Sequence, residues 1–298
     1  MNRKYKLFRF SPLLSIPLLS LLAACHGGGN DPEVAKLQGP DSTGGILKVN
    51  GELFSIPSPL QTGLLIKKLG ISFNKEMLNP SAKATSYSTS FQKALNLGVY
   101  GADLGYVTIY DQTQEAISFM NSVKKMADDL GISSAFNAET FARFQKNLGN
   151  RDSLLGLVSI AYRESDAFLK NNERNDVSGL VLAGGWVESL YFATSVYKMN
   201  SKEEVKRRIG EQKSSLGSLI KLLAPYSSQA DYAELLDNLN DLDKIFKGVQ
   251  FIYNYSKPVV EADKKLTTIN SSTEVKISQA QLDSITHQVK VLRTLISG

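Results

Sequence analysis

The chain has 298 residues, 42% of them hydrophobic and 21% charged, with one cysteine, two histidines and a formal net charge of +5. The apolar fraction excludes a disordered chain, one cysteine excludes an internal disulfide, and two histidines leave little for a His-rich zinc site or a nucleophile and histidine pair. Arg3, Lys4, Lys6 and Arg9 precede Ala24 with no acid among them, which leaves 30 basic against 29 acidic side chains in the remainder and no concentrated basic face for a nucleic acid.

Residues 1–24 read as a signal peptide, a basic start followed by an apolar run from Phe10 to Ala24 that Pro12 and Pro17 interrupt and that is too short to span a bilayer. The run ends Leu22-Ala23-Ala24-Cys25, which resembles the lipobox of bacterial lipoproteins. That resemblance implies removal of residues 1–24, a diacylglycerol on the Cys25 thiol and attachment to a membrane through this anchor. His26, a residue other than Asp after the cysteine, matches the pattern of lipoproteins sent to the outer membrane. The expected location is its periplasmic face; Asp31 and Glu33 are a weak match to surface-export signals and keep the cell surface as the alternative. Residues 25–45, with Gly27-Gly28-Gly29, Pro32 and Pro40, read as a tether, and residues 46–298 as one helical domain.

In that domain Ile46–Val49 and Glu52–Ile56 flank Asn50-Gly51, the dipeptide that best tolerates a two-residue hairpin turn. A first helix runs from the cap Ser58, with Pro59 behind it and Gln61 as capping-box partner, to the stop Leu69-Gly70-Ile71. Asp111 with Gln114 opens another that Leu130-Gly131-Ile132 closes. Further starts are read at Asn137, Asp152, Asp176, Ser201, Ser228 and Ser278 with Gln281, each ahead of an apolar stripe of helical period such as Leu282/Ile285/Val289/Leu292/Ile296. The Thr- and Ser-rich stretch between Lys264 and Lys276, with Leu266-Thr267-Thr268-Ile269, reads as loop, with a short strand as the alternative. The expected fold is all-α, an irregular bundle of about eight helices behind a short hairpin. Part of it, residues 97–132, resembles a degenerate tetratricopeptide unit.

Two segments, Leu97–Tyr106 and Leu180–Phe192, are apolar nearly all round and carry Gly98, Gly101, Gly105, Gly184 and Gly185. They are expected to cross the middle of the bundle, the glycines letting neighbouring helices come close. With the lipobox, they resemble uncharacterised helical lipoproteins of Bacteroidota over roughly residues 56–200. The resemblance implies a location and a helical fold, and no activity.

No phosphate loop, metalloprotease helix, nucleophile elbow or calcium loop is present in the sequence, and no cofactor, metal or catalytic set is assigned. Three acids nevertheless have apolar neighbours three and four residues away: Asp103, between Tyr100 and Tyr106; Glu164, beside Arg163; and Glu188. Either they form a carboxylate site for cation binding or hydrolysis, or tyrosine hydroxyls, backbone donors or Arg163 satisfy them as structural ties. Arg163, Asp166 and Lys170 share the spacing of a solvated face, and Tyr253 and Tyr255 are expected to be exposed near a helix end. The favoured reading is a non-enzymatic, lipid-anchored binding or scaffold protein with an envelope protein as partner.

Overall fold

The computed structural model describes residues 44–49, 52–133 and 138–298. The leader, Cys25, the Asn50-Gly51 turn and the Asn137 start lie outside them. The first described element is an antiparallel hairpin, β1 (Gly44–Val49) and β2 (Glu52–Pro57), in which Val49 faces Glu52 across the two-residue connection. β1 begins two residues before the expected start of the domain.

Nine α-helices follow among the described residues: α1 (Pro59–Lys68), α2 (Ser90–Ile109), α3 (Thr113–Asp129), α4 (Ala138–Lys146), α5 (Arg151–Asn171), α6 (Asn175–Asn200), α7 (Glu203–Leu223), α8 (Ala230–Phe246) and α9 (Gln279–Ser297). Their ends obey local chemistry. Ser58 caps α1 and Ser278 forms a reciprocal box with Gln281 at the start of α9. Gly70 and Gly131 stop α1 and α3 in the left-handed region, with Ile71 and Ile132 donating back to the carbonyls of Ile66 and Ala127. A second box, Thr89 with Gln92, opens α2. Other caps differ from the expected ones. Asp111 and Ser201 have positive φ and end α2 and α6 instead of opening the next helix, and Asn150, two residues before the expected Asp152, caps α5 by accepting from the Ser153 amide.

The heaviest packing is between α2 and α6, which are far apart in sequence, with α1, α5 and α9 against that pair, α3 against α2 and α7 against α6. A stack of sequence-adjacent repeats would not place its main contact there, so the tetratricopeptide likeness of residues 97–132 does not describe the architecture. Every residue of α2 from Ala94 to Ile109 is buried, as is most of α6. Burial on all sides is why both are apolar all round, and no helix among the described residues is long and apolar enough to cross a membrane. Close approach at the crossing is achieved through glycine. A Cβ on Gly98 would lie 2.6 Å from the Gly185 amide nitrogen and 2.9 Å from the Val181 carbonyl carbon, and one on Gly184 would lie 2.8 Å from the Leu95 carbonyl carbon.

Between α8 and α9 the chain leaves the bundle. β3 (Gln250–Asn254) pairs with β6 (Ser272–Lys276), and beyond them β4 (Val259–Glu261) pairs with β5 (Leu266–Thr268). The stretch expected to be loop is therefore the returning half of a β arm. Its strands are exposed on both faces and so lack the alternation that one buried face would impose.

Candidate functional site

Asn96, Tyr100 and Asp103 fall at i, i+4 and i+7 on α2 and form a polar stripe on an otherwise apolar helix. Asp103 is fully buried, and its Oδ2 accepts the backbone amide of Asn79 at 3.3 Å. Glu188 on α6, also fully buried, is held by Arg293 of α9 in a bidentate pair with distances of 2.8 and 3.0 Å. Arg293 also donates to the Met77 carbonyl at 3.1 Å and lies over the Tyr191 ring, 4.2 Å from its centroid. Nε and one Nη of the guanidinium are thus engaged, and the planar group fits the fork of the carboxylate.

Three ionisable groups with one cation would leave a buried negative charge if both acids were ionised. Burial and the Glu188 carboxylate beside it push the Asp103 carboxyl well above the usual carboxylate range. Burial pushes Glu188 up too, against the pull of Arg293. Asp103 Oδ1 is buried and receives no hydrogen bond, and the Glu188 carboxyl lies beside Asp103. The consistent state is a protonated Asp103 donating to an ionised Glu188, which pairs with Arg293 and makes the cluster neutral. Burial also raises the tyrosine hydroxyls at positions 87, 100 and 106 above their ordinary value, so they act as neutral donors and acceptors.

Around this core, Asn79 donates to Tyr87 Oη at 2.9 Å and to Asn96 at 3.4 Å. Asn96 donates to the Ile296 carbonyl at 2.8 Å, Tyr87 to the Ser297 carbonyl at 3.2 Å, and Lys83 to the Gly298 carbonyl at 2.6 Å. The last turn of α9, whose carbonyls have no partners within the helix, is capped by side chains from 83–96.

The six sequence candidates separate. Asp103, Glu188 and Tyr100 come together. Tyr100 does not cap Asp103; it donates to the Pro80 carbonyl at 2.8 Å. Tyr106 lies one turn further on and accepts the Asn74 amide at 3.1 Å, its ring against Phe73 and Phe192. Glu164 and Arg163 are exposed on α5, contrary to the expectation that apolar neighbours would bury Glu164. The face α5 turns inward carries Leu154, Val158, Ser165 and Leu169, and Glu164 stands about 100° from Ser165. The cation for Glu188 is Arg293, which the sequence reading did not single out. The available signal was a charge at i+4 from Val289 and i−3 from Ile296, inside the α9 stripe. Asp166 is half-buried, accepting the Ser178 hydroxyl at 2.7 Å and pairing with Lys170, so it joins α5 to α6 instead of facing solvent.

About 100° round α2 from this stripe, Leu97, Gly101 and Leu104 line a small apolar cavity of about 50 Å³, with Met120, Val158 and Val181 as other walls. Among the described residues, no group of three or more His, Cys, Asp or Glu side chains is placed to hold a metal ion. Compared with protein-family models, curated proteins and solved structures, the chain matches none.

Protonation of Asp103 makes stability depend on pH. A carboxyl whose folded pKa is raised contributes its full stability below the unfolded value near 4 and loses it as pH rises toward the folded value, at up to about 1.4 kcal/mol per pH unit. Asp103→Asn keeps a neutral donor for Glu188 and an acceptor for the Asn79 amide. Thermal melts at pH 5, 7 and 9 should show the variant gaining on the parent as pH rises; a parent that pulls ahead at pH 9 would remove the proton from this pair.

Proposed function

We propose that the protein is a non-enzymatic binding or scaffold module of the cell envelope, held at the outer membrane by a lipid on Cys25, with its body on the periplasmic side. The observation that carries the non-enzymatic half is the closure of the Asp103, Glu188 and Arg293 cluster. The two acids best suited to chemistry are fully buried, neutralised by their own chain and committed to holding α9 on α2 and α6. The exposure of Glu164 favours this reading over a three-carboxylate site for cation binding or hydrolysis. The anchor half rests on Leu22-Ala23-Ala24-Cys25 and on the lack of any second cysteine. The likeness to helical lipoproteins of Bacteroidota belongs to the same proposal.

The anchor is tested by phase partition. The parent chain, expressed in a Gram-negative host, should enter the detergent phase with a diacylglycerol mass on its Cys25 peptide. Cys25→Ser should remain unprocessed or move to the aqueous phase. Equal recovery of both in detergent would reject the anchor.

A further inference from the structure

Seven of the eleven exposed large hydrophobic side chains among the described residues lie in the arm of residues 250–276. Six stand beyond its base: Tyr253 and Tyr255 on the β3 side, then Val259, Val260, Leu266 and Ile269, with Tyr255, Val260 and Ile269 exposed by 71, 67 and 73%. Only the base is covered, where Val275 packs into the space left by Gly210 of α7. A two-stranded ribbon without a core is marginal in water, and apolar groups gathered on one are unlike the scattered exposed leucines of ordinary surfaces.

The pairing register shows what kind of cover these groups need. Val259 is opposite Thr268 and Glu261 opposite Leu266, so Val259 and Leu266 share one face of the distal ribbon; Val260, opposite Thr267, is on the other. A folded partner offering one flat surface would cover one face only. A medium that surrounds the tip covers both. The charges beside the arm have the sign such a medium would attract. The base of the arm adjoins the first turns of α7, where Glu203 and Lys206 meet Gln250, Glu274 and Lys276. Residues 202–213 and 250–276 together hold nine basic and six acidic side chains. Tyrosine and aliphatic groups flanked by lysine form the composition that settles at the boundary of headgroups and acyl chains, where water still reaches unpaired strand edges.

We infer that the β arm inserts its tip shallowly into an anionic phospholipid surface, holding the body against the bilayer at a second point. The inference rests on the anchored reading for which membrane is at hand. Eighteen residues lie between Cys25 and Gly44, a stretch that reaches at most about 65 Å, so anchoring keeps the arm at high effective concentration near one bilayer.

The test uses the full mature chain carrying Ile269→Cys, labelled with a polarity-sensitive fluorophore and reconstituted in vesicles of phosphatidylethanolamine and phosphatidylglycerol. The label should shift to the blue and be quenched by lipids with brominated acyl chains, more weakly in vesicles of phosphatidylcholine alone. A label on Lys124→Cys of α3 should do neither, and Tyr255→Ser with Val260→Ser should return the Ile269→Cys label to water. A label that stays in water in the anionic vesicles overturns the inference. So does a blue shift that ignores brominated lipid and grows with protein concentration, which assigns the arm to a second copy. Failure of the anchor is read separately, as a Cys25 peptide without diacylglycerol, and the arm is then scored on chain added to preformed anionic vesicles.

Discussion

Gly98→Ala and Gly184→Ala should each lower stability by about 3 kcal/mol, the upper part of the range for overpacking, although glycine to alanine in a helix ordinarily stabilises by about 1 kcal/mol. The difference lies in what the new methyl meets. At Gly98 it would collide with the Val181 carbonyl oxygen and at Gly184 with the Leu95 carbonyl oxygen, both backbone atoms that cannot turn away as a side chain would. Relief requires α2 and α6 to separate, and that seam is the centre of the bundle. At about 2–4 °C per kcal/mol for a chain of this size, each loss should be plain in a thermal melt. The double variant should cost less than the sum, because one separation accommodates both methyl groups. Gly217 on α7 is the control: nothing lies within 4 Å of its would-be Cβ, so Gly217→Ala should raise stability slightly. Gly98→Ala as stable as the parent would mean that the two backbones do not touch.

This seam was the most legible part of the fold, since Leu97–Tyr106 and Leu180–Phe192 lack a polar face and only burial on all sides accommodates such helices. The stops at Gly70 and Gly131 were readable because a left-handed residue followed by an apolar one has few other uses. Asp111 and Ser201 were misassigned for a related reason. Short polar side chains serve both as caps that open a helix and as left-handed residues that close one, and sequence alone does not separate the two at a junction of a few residues. Spacing of three and four identified Asp103 and Glu188 correctly and Glu164 wrongly, because it reports a residue's own helix face and not what stands opposite. Opposite Asp103 and Glu188 is a helix from the far end of the chain. On α5, Ala161 at the cavity and Phe168 at the edge of the core are only half-buried. Arg293 lies 105 residues from the acid it neutralises, beyond any periodic signal. The arm was missed because strands with both faces exposed leave no period-two pattern.

Breaking the Glu188 and Arg293 pair from either side should cost about 3–5 kcal/mol, the usual penalty for removing one partner of a buried ion pair. Glu188→Gln strands a guanidinium with 17% side-chain exposure whose other partners, the Met77 carbonyl and the Tyr191 ring, carry no charge. Arg293→Met strands two acids, and Glu188 must then take up a proton, so that loss should shrink as pH falls toward the carboxylate range. Arg293→Lys should recover only part of the stability, because an ammonium cannot bind both carboxylate oxygens in the same plane while stacking on the ring. The double variant Glu188→Leu with Arg293→Met decides what the cluster is for. In a structural tie, apolar groups of similar volume replace the pair at little cost, and the double variant should be far more stable than either single one. Hydrogen exchange adds a local readout: single variants should lose protection chiefly in α9, which the pair fastens to α2 and α6, and the double variant should regain it. If the single variants melt with the parent instead, the charges must reach water without the pair. The cluster would then be open to solvent, and a carboxylate site for cation binding or hydrolysis would become the better account of Asp103 and Glu188.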